Sequence, residues 1–258
     1  MLDEIVEKTK QRVEMAKEIL PLEDIKKQVS LMEITHDFPF KEALGGGEIS
    51  IIAEVKKASP SKGLISEDFD YLSIAKEYES AGASAISVLT EPYFFQGSDE
   101  YLEEIAKEVS VPVLRKDFVV DEYMIWEAKM LGASAILLIV SILDIVQLKK
   151  YLDLAHELGL SAIVETHDGD EIMSAMTVGA EIIGVNNRNL QDFTVDIENS
   201  ISLRRCVSGD VIFISESGIK TKEDVHRLKE NDVDAVLIGE TLMKSDDKKA
   251  MIAELKNG

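Results

Sequence analysis

Two heptapeptides of this chain, Ala81-Gly82-Ala83-Ser84-Ala85-Ile86-Ser87 and Leu131-Gly132-Ala133-Ser134-Ala135-Ile136-Leu137, are nearly the same. Softer echoes occur at Leu158-Gly159-Leu160-Ser161-Ala162-Ile163, Val178-Gly179-Ala180-Glu181-Ile182-Ile183 and Asn231-Asp232-Val233-Asp234-Ala235-Val236. Each copy follows an amphipathic stretch and precedes a short β-branched run. The glycine, or Asn231 in the last copy, falls where a helix needs a left-handed residue to stop. The repeated unit therefore reads helix, stop, tight turn, strand. Collecting the strands gives eight, near 50–55, 84–89, 111–115, 134–140, 161–165, 180–185, 211–215 and 234–238. Helical patterns lie between them, for example at 70–81, 121–131, 144–158 and 221–230. Strands alternating with helices predict a parallel sheet covered by helices. Eight units in about 210 residues fit an α/β fold of the closed (β/α)8 TIM-barrel type. The competing architecture, an open doubly wound sheet, usually carries a glycine-rich loop after its first strand. No G-x-G-x-x-G or Walker A pattern is present, and Gly45-Gly46-Gly47 precedes a strand instead of following one.

Residues 1–48 stand outside the repeat. Ile5, Val6, Val13, Ala16, Ile19 and Leu20 fall near helical spacing, Pro21 interrupts, and Leu22 to Leu31 resumes. One or two extra helices, packed across one end of the barrel, are expected there. No linker rich in Gly, Pro or Ser separates them, so one domain is expected over 1–258, with an extension at 1–48 and the barrel at 49–258.

The first strand turns ionic before it ends. In Ile51-Ile52-Ala53-Glu54-Val55-Lys56, alternation puts Ile52, Glu54 and Lys56 on one face and Ile51, Ala53 and Val55 on the other. A carboxylate and an ammonium inside a barrel are costly unless paired or solvated in a cavity. One buried salt bridge would account for that pair alone. The other strand ends repeat the pattern, however: Lys116 on the third, Glu165 on the fifth, Asn186 and Arg188 on the sixth, Glu216 and Ser217 on the seventh. Packing does not explain five strands ending this way at the face where such barrels carry their chemistry. Lysines and carboxylates in one cavity suit general acid and base work, because burial and neighbours move their pKa values toward neutrality.

Gly218 and Gly239 follow the seventh and eighth strands. Each could simply make a tight turn; together in this fold they predict exposed backbone N–H groups for a phosphate, with Lys56 and Ser59 completing the site from the first strand. Tyr93, Phe94, Phe95 and Phe118 sit in loops near the rim, where at least one ring is expected to line a pocket for a flat apolar group. His36, His156, His167 and His226 show no metal-ligand spacing, and Trp126 reads as core. The acidic runs at the N-terminus and at Ser98 to Glu104 read as solvated helix faces.

The net charge is −21, from 28 Lys and Arg against 49 Asp and Glu. That argues against nucleic acid and anionic membranes as partners, since both need a basic face. A small anion remains compatible, because distant charges are screened over about 8 Å at physiological salt. The lone Cys206 rules out an intrachain disulfide and reads as a passive thiol. The N-terminus is acidic and interrupted, unlike a signal peptide, and the longest apolar run, Ala135 to Leu143, is too short to span a bilayer. A cytoplasmic location is expected.

Taken in order, Ile52-Ala53-Glu54-Val55-Lys56 with Ser59-Pro60-Ser61, Leu89-Thr90-Glu91, Phe95-Gln96-Gly97-Ser98, Arg115-Lys116-Asp117-Phe118, Val164-Glu165, Gly184-Val185-Asn186-Asn187-Arg188-Asn189-Leu190 and Ser215-Glu216-Ser217-Gly218-Ile219 resemble the indole-3-glycerol phosphate synthase family. The resemblance spans essentially the whole chain. It implies a carboxy-lyase of tryptophan biosynthesis that closes an indole ring on 1-(2-carboxyphenylamino)-1-deoxyribulose 5-phosphate, losing CO2 and water. It implies no cofactor and no metal. By motif position, Lys116 resembles the general acid, and Glu165 and Glu54 the carboxylates that stabilise the cationic intermediate and move protons. Lys56 resembles a contact to the substrate's carboxylate and phosphate side, with a second proton-donor role open. Asn186, Arg188, Glu216 and Ser217 match the polar lining; Phe95, Phe118 and Leu137 match the anthranilate pocket. Ser59, Gly218, Gly239 and the Glu240 amide match the phosphate site. Ala58 stands where many members carry a second basic residue, which would weaken attraction at the mouth. A monomer is expected, with a homodimer as the alternative.

Two other readings compete. A sugar-phosphate isomerase on the same fold usually works with a carboxylate acid–base pair and has less need of two inner lysines. A phosphate-ligand barrel without turnover would keep the residues but not their working geometry.

Overall fold

Short β-branched runs bounded by turn residues have nowhere to hide their apolar faces except against one another. In the computed structural model, which describes residues 1–189 and 194–257, eight of them close into a parallel barrel. They are β1 (Ser50–Val55), β2 (Ala85–Leu89), β3 (Val113–Lys116), β4 (Ala135–Ile139), β5 (Ser161–Thr166), β6 (Ile182–Asn186), β7 (Ile212–Glu216) and β8 (Ala235–Ile238). Each pairs with its sequence neighbours, and β1 closes the ring by pairing with β8 (Ile52 opposite Leu237) and with β2 (Glu54 opposite Ser87). Leu190 and Gly258, which fall within the expected family motif and barrel span, lie outside the described residues.

The covering helices are α4 (Tyr71–Ser80), α5 (Asp99–Glu108), α6 (Glu122–Met130), α7 (Ile145–Glu157), α8 (Gly169–Thr177), α9 (Glu198–Arg204), α10 (Lys222–Lys229), α11 (Glu240–Met243) and α12 (Lys248–Lys256). Several begin one residue inside the predicted limits because the flanking residue is a cap. Asp70 accepts from the Ser73 N–H, Asp121 from the Tyr123 N–H, and Asp144 and Thr221 form capping boxes with Gln147 and Asp224.

The repeated stop signal is one hydrogen-bond motif used five times. Ala83, Ala133, Leu160, Ala180 and Val233 each donate back to the carbonyl five residues earlier, closing a Schellman turn. Gly82, Gly132, Gly159 and Gly179 hold positive φ at this turn. In the last copy the left-handed residue is Asp232 (φ 58°) and not Asn231 as expected. Aspartate tolerates that region nearly as well as asparagine, and the Schellman register selects the position.

Alternation along the strands separates two cores. Ile52, Leu114, Leu137, Ile163, Ile214 and Leu237 point inward, whereas Ile51, Ala53, Val55, Ile136, Val164 and Val236 pack under the helices. The extension comprises three helices, α1 (Leu2–Ile19), α2 (Leu22–Ser30) and α3 (Pro39–Leu44), where one or two were expected at one end. It reaches both ends. Phe40 and Leu44 of α3 join the inner core beside Ala85, Ala135 and Ala235, plugging the barrel where the strands begin. Met1, Leu2 and Ile5 line the opposite mouth. The short pattern Pro39–Leu44 shows too little periodicity to be recognised as a helix. No described helix is long and apolar enough to cross a membrane.

Candidate active site

The C-terminal ends of the strands surround a cavity of ≈ 500 Å³. All fifteen predicted site residues line it: Glu54, Lys56, Ser59, Phe95, Lys116, Phe118, Leu137, Glu165, Asn186, Arg188, Glu216, Ser217, Gly218, Gly239 and Glu240. Because β3, β5 and β7 each send a long ionic side chain inward, Lys116 from one wall meets two carboxylates from the others. Its Nζ lies 3.0 Å from Glu165 and 3.2 Å from Glu216. Burial opposes the Lys116 charge, but Glu165, Glu216 and Glu54 outweigh it and hold the ammonium above its ordinary range.

The two carboxylates differ. Burial would raise Glu165, yet Lys116 and then His167 bring it below the usual carboxylate range, and the Asn186 amide donates to it. Burial pushes Glu216 up to about 7; Lys116 pulls against this, while the negative charge of Glu165 and Glu54 offsets that pull. Glu216 Oε1 is buried without a hydrogen-bond partner among the described residues. One carboxylate is thus held ionised and its neighbour is poised to carry a proton near neutrality, the separation that lets two like groups take different roles.

Glu54 of β1 and Lys56, just past its end, form an ion pair on the same inner side. Gly239 lies directly against it: a Cβ there would collide with the Glu54 carboxylate and stand 2.8 Å from Lys56 Nζ. The sequence signal at Gly239 pointed to phosphate; the structure adds close approach to this pair as a second reason for glycine.

The rim between β7 and β8 has the features of an anion site. Ser217 and Gly218 adopt left-handed φ of 69° and 88°. For a serine that is a strained backbone, costing about 1–3 kcal/mol, and it must be imposed by its surroundings. Asn187 imposes it: its Nδ2 donates to the Ser217 carbonyl at 3.0 Å and to Ser215 at 2.9 Å, and its Oδ1 accepts from Ser200. Thr241 ties the β8 side to the Ile219 carbonyl at 2.8 Å. Lys62, Lys220 and Lys244 also line the cavity. Glu240 pairs with Lys244 at 2.7 Å and stands 3.7 Å from Lys62. Against burial, these lysines hold its carboxyl below the ordinary range.

The apolar wall is formed by Phe95 and Phe118, with ring centroids 6.0 Å apart, together with Leu89, Leu137, Ile139 and Leu237. Of the other ringed candidates, Tyr93 is exposed. Phe95 is presented by a buried carboxylate: Glu91 accepts from the backbone N–H groups of Tyr93, Phe94 and Phe95 at 2.7–3.1 Å.

Several supporting residues escaped the sequence reading. Asn187 and Glu91 were visible only as motif letters, since their work is on backbone in other loops. His167 was set aside for lack of metal spacing, but its Nε2 stands 3.7 Å from Glu165; its position two residues after an inward glutamate was the available signal. Asp99, read as part of a solvated acidic run, instead reaches the buried Arg115 at 2.7 Å. Met1, Leu2 and Ile5 contribute to the mouth from a helix whose register on the barrel no local pattern fixes.

A family model described as indole-3-glycerol phosphate synthase matches residues 2–255. The indole-3-glycerol phosphate synthase of Ruminiclostridium cellulolyticum is 53% identical over 256 residues, covering 99% of this chain and 98% of that protein. That of Endomicrobium trichonymphae is 54% identical over 257 residues and covers 100% of both. Among solved structures, 3-hexulose-6-phosphate synthase from Salmonella typhimurium superposes with a TM-score of 0.66 at 14% identity, over 81% of this chain and 97% of that one. At that identity the likeness is one of fold.

Proposed function

The chain belongs to the indole-3-glycerol phosphate synthase family, carboxy-lyases of tryptophan biosynthesis, and we propose which of its residues carry that reaction. The observation that supports the assignment best is Lys116 held between Glu165 and Glu216 at the floor of a cavity with an aromatic wall and an amide- and lysine-rich rim. Ring closure needs an acid at the carbonyl oxygen, and Lys116 is a buried, fully charged donor. The C–C bond forms as that oxygen takes the proton. CO2 then leaves its electron pair to the ring, and loss of water requires a second proton on the oxygen and removal of one from the adjacent carbon. Glu165, kept ionised, stabilises the cation and accepts the proton from carbon. Glu216, matched to neutral pH, exchanges protons with the set.

Glu54 joins Glu165 in stabilising the cation and moving protons, Lys56 holds the carboxylate and phosphate side of the substrate, and Asn186 and Arg188 form the polar lining. Phe95, Phe118 and Leu137 sandwich the anthranilate ring. Ser59, Ser217, Gly218, Gly239 and the Glu240 amide receive the phosphate, supported by Lys62, Lys220 and Lys244. Extension and barrel act as one domain, and the protein works as a cytoplasmic monomer on this small anionic substrate. The purified protein is expected to convert the anthranilate-derived ribulose phosphate to a fluorescent indole without added metal. Tight binding of the substrate with no fluorescent product would overturn the assignment.

A further inference from the structure

We propose that His167 is a positioning residue for this reaction, its imidazolium clamped between Glu165 and Glu171 so that Glu165, and not Glu216, is the carboxyl that stays ionised. The proposal rests on the reading of Glu165 as a working carboxylate.

His167 follows β5 two positions after Glu165, so alternation turns both toward the same side. Its backbone N–H donates to Glu171 Oε2 at 2.7 Å, and Nδ1 lies 3.1 Å from the same oxygen. On the other side of the ring, Nε2 faces Glu165 Oε1 at 3.7 Å and is buried without any hydrogen-bond partner among the described residues. Asn199 fixes the turn by donating to the His167 carbonyl at 3.1 Å.

An ionised carboxylate oxygen only accepts, so Nδ1 must carry a hydrogen. A neutral ring would then aim the lone pair of Nε2 at an anionic oxygen. Protonating Nε2 turns that repulsion into attraction and gives the orphan nitrogen its partner. The charged groups around the ring agree in sign: Glu165 from β5, Glu171 from α8 and Glu216 from β7 all favour the imidazolium, against burial.

The consequence lies in the carboxylate pair. Glu165 and Glu216 approach the same Lys116 at 3.0 and 3.2 Å, so the lysine alone gives little reason for one to hold a proton and the other not. His167 stands beside Glu165. Together with the Asn186 amide that donates to Glu165, it supplies the asymmetry that assigns the two carboxyls different protonation states. Since His167 does not line the cavity, its effect reaches the substrate only through Glu165.

The test is the pH profile of turnover, followed by indole fluorescence, for the wild type and for His167→Gln. With the imidazolium removed, Glu165 is held less firmly as a carboxylate. The acid limb should move to higher pH by about one unit, while KM changes little and kcat recovers on the alkaline side. A loss of activity that is uniform across pH, or an unmoved acid limb, would overturn the proposal. Should His167→Gln fail to fold, imidazole 15N NMR of the wild type decides: both ring nitrogens protonated at neutral pH supports the clamp, and an unprotonated Nε2 contradicts it. Glu165→Gln separates the two levels. Wild-type turnover in that variant would remove the underlying site assignment, whereas its inactivity with an unmoved His167→Gln profile would remove only the clamp.

Discussion

Arg115 and Lys116 are neighbours on one strand and both are buried, yet they enter opposite kinds of ionic cluster. Arg115 points outward under the helices. It is bonded to Asp99 and Glu127 at 2.7 Å each, to the Met124 carbonyl at 2.9 Å and to Thr90 at 3.2 Å, with Asp117 at 3.7 Å. Arg12 of α1 reaches Asp117 at 2.7 Å and the Thr90 carbonyl at 3.1 Å, fastening the extension to the end of β3. Four of the five guanidinium N–H donors of Arg115 are thereby answered, and Arg115 does not line the cavity. Lys116 points inward to two carboxylates, one with an unpartnered oxygen, on the floor of an open cavity. Burying charge costs several kcal/mol per ion in either place. Where protein groups answer nearly all of the donors, the charges hold elements together. Where partners are left over, they await a ligand.

Replacing each cation by methionine should separate the clusters most sharply. Arg115→Met leaves Asp117, Asp99 and Glu127 without their central cation and should cost about 3–5 kcal/mol in chemical denaturation. Lys116→Met should cost less than half as much, because cavity water reaches Glu165 and Glu216 and Glu216 readily takes a proton. Equal losses would erase the distinction.

The pH dependence of stability is a second division. Burial pushes Glu216 up to about 7, well above an ordinary carboxyl, so its contribution is fully present below the unfolded pKa and lost as pH rises through about 7. Relative to Glu216→Gln, the wild type should lose on the order of 3 kcal/mol across that window. Asp117 has the opposite sign. Burial would raise it, but Arg12 and Arg115 hold it below its ordinary range. Its contribution is therefore present above the unfolded pKa and lost as pH falls through the folded one. Burial also raises Glu127 in the outer cluster, so Asp117→Asn is the clean comparison: the variant should be less stable at neutral pH, where that contribution is present, and should flatten the acid arm of the stability curve.

The smallest effect concerns the rim. Ser217→Gly relieves a left-handed serine and should stabilise the fold by about 1 kcal/mol in thermal denaturation while weakening phosphate-ligand binding, since the hydroxyl is lost. Unchanged stability would mean that the surroundings do not strain this residue.

Most of the fold and of the candidate site was legible because both rest on local periodicity. Alternation told inward from outward residues on β1, and the helix-stop repeat marked five of the eight strands. What remained illegible depends on long-range register. Nothing near Arg12 says that it will meet Asp117, and nothing near Glu91 says that its carboxylate will gather three backbone amides. Arg115, one letter from Lys116, entered only as a motif letter, because its partners Asp99, Glu127 and Thr90 come from other elements. The helix α3 was missed because six residues show too little period, although two of them plug the barrel.

The most direct test is the turnover number of folded Lys116→Met at saturating substrate, read by indole fluorescence. Removing a general acid should lower kcat by about 10²–10⁴-fold while the protein stays folded. A folded Lys116→Met that turns over at the wild-type rate would contradict the claim that the inner cluster exists for proton transfer.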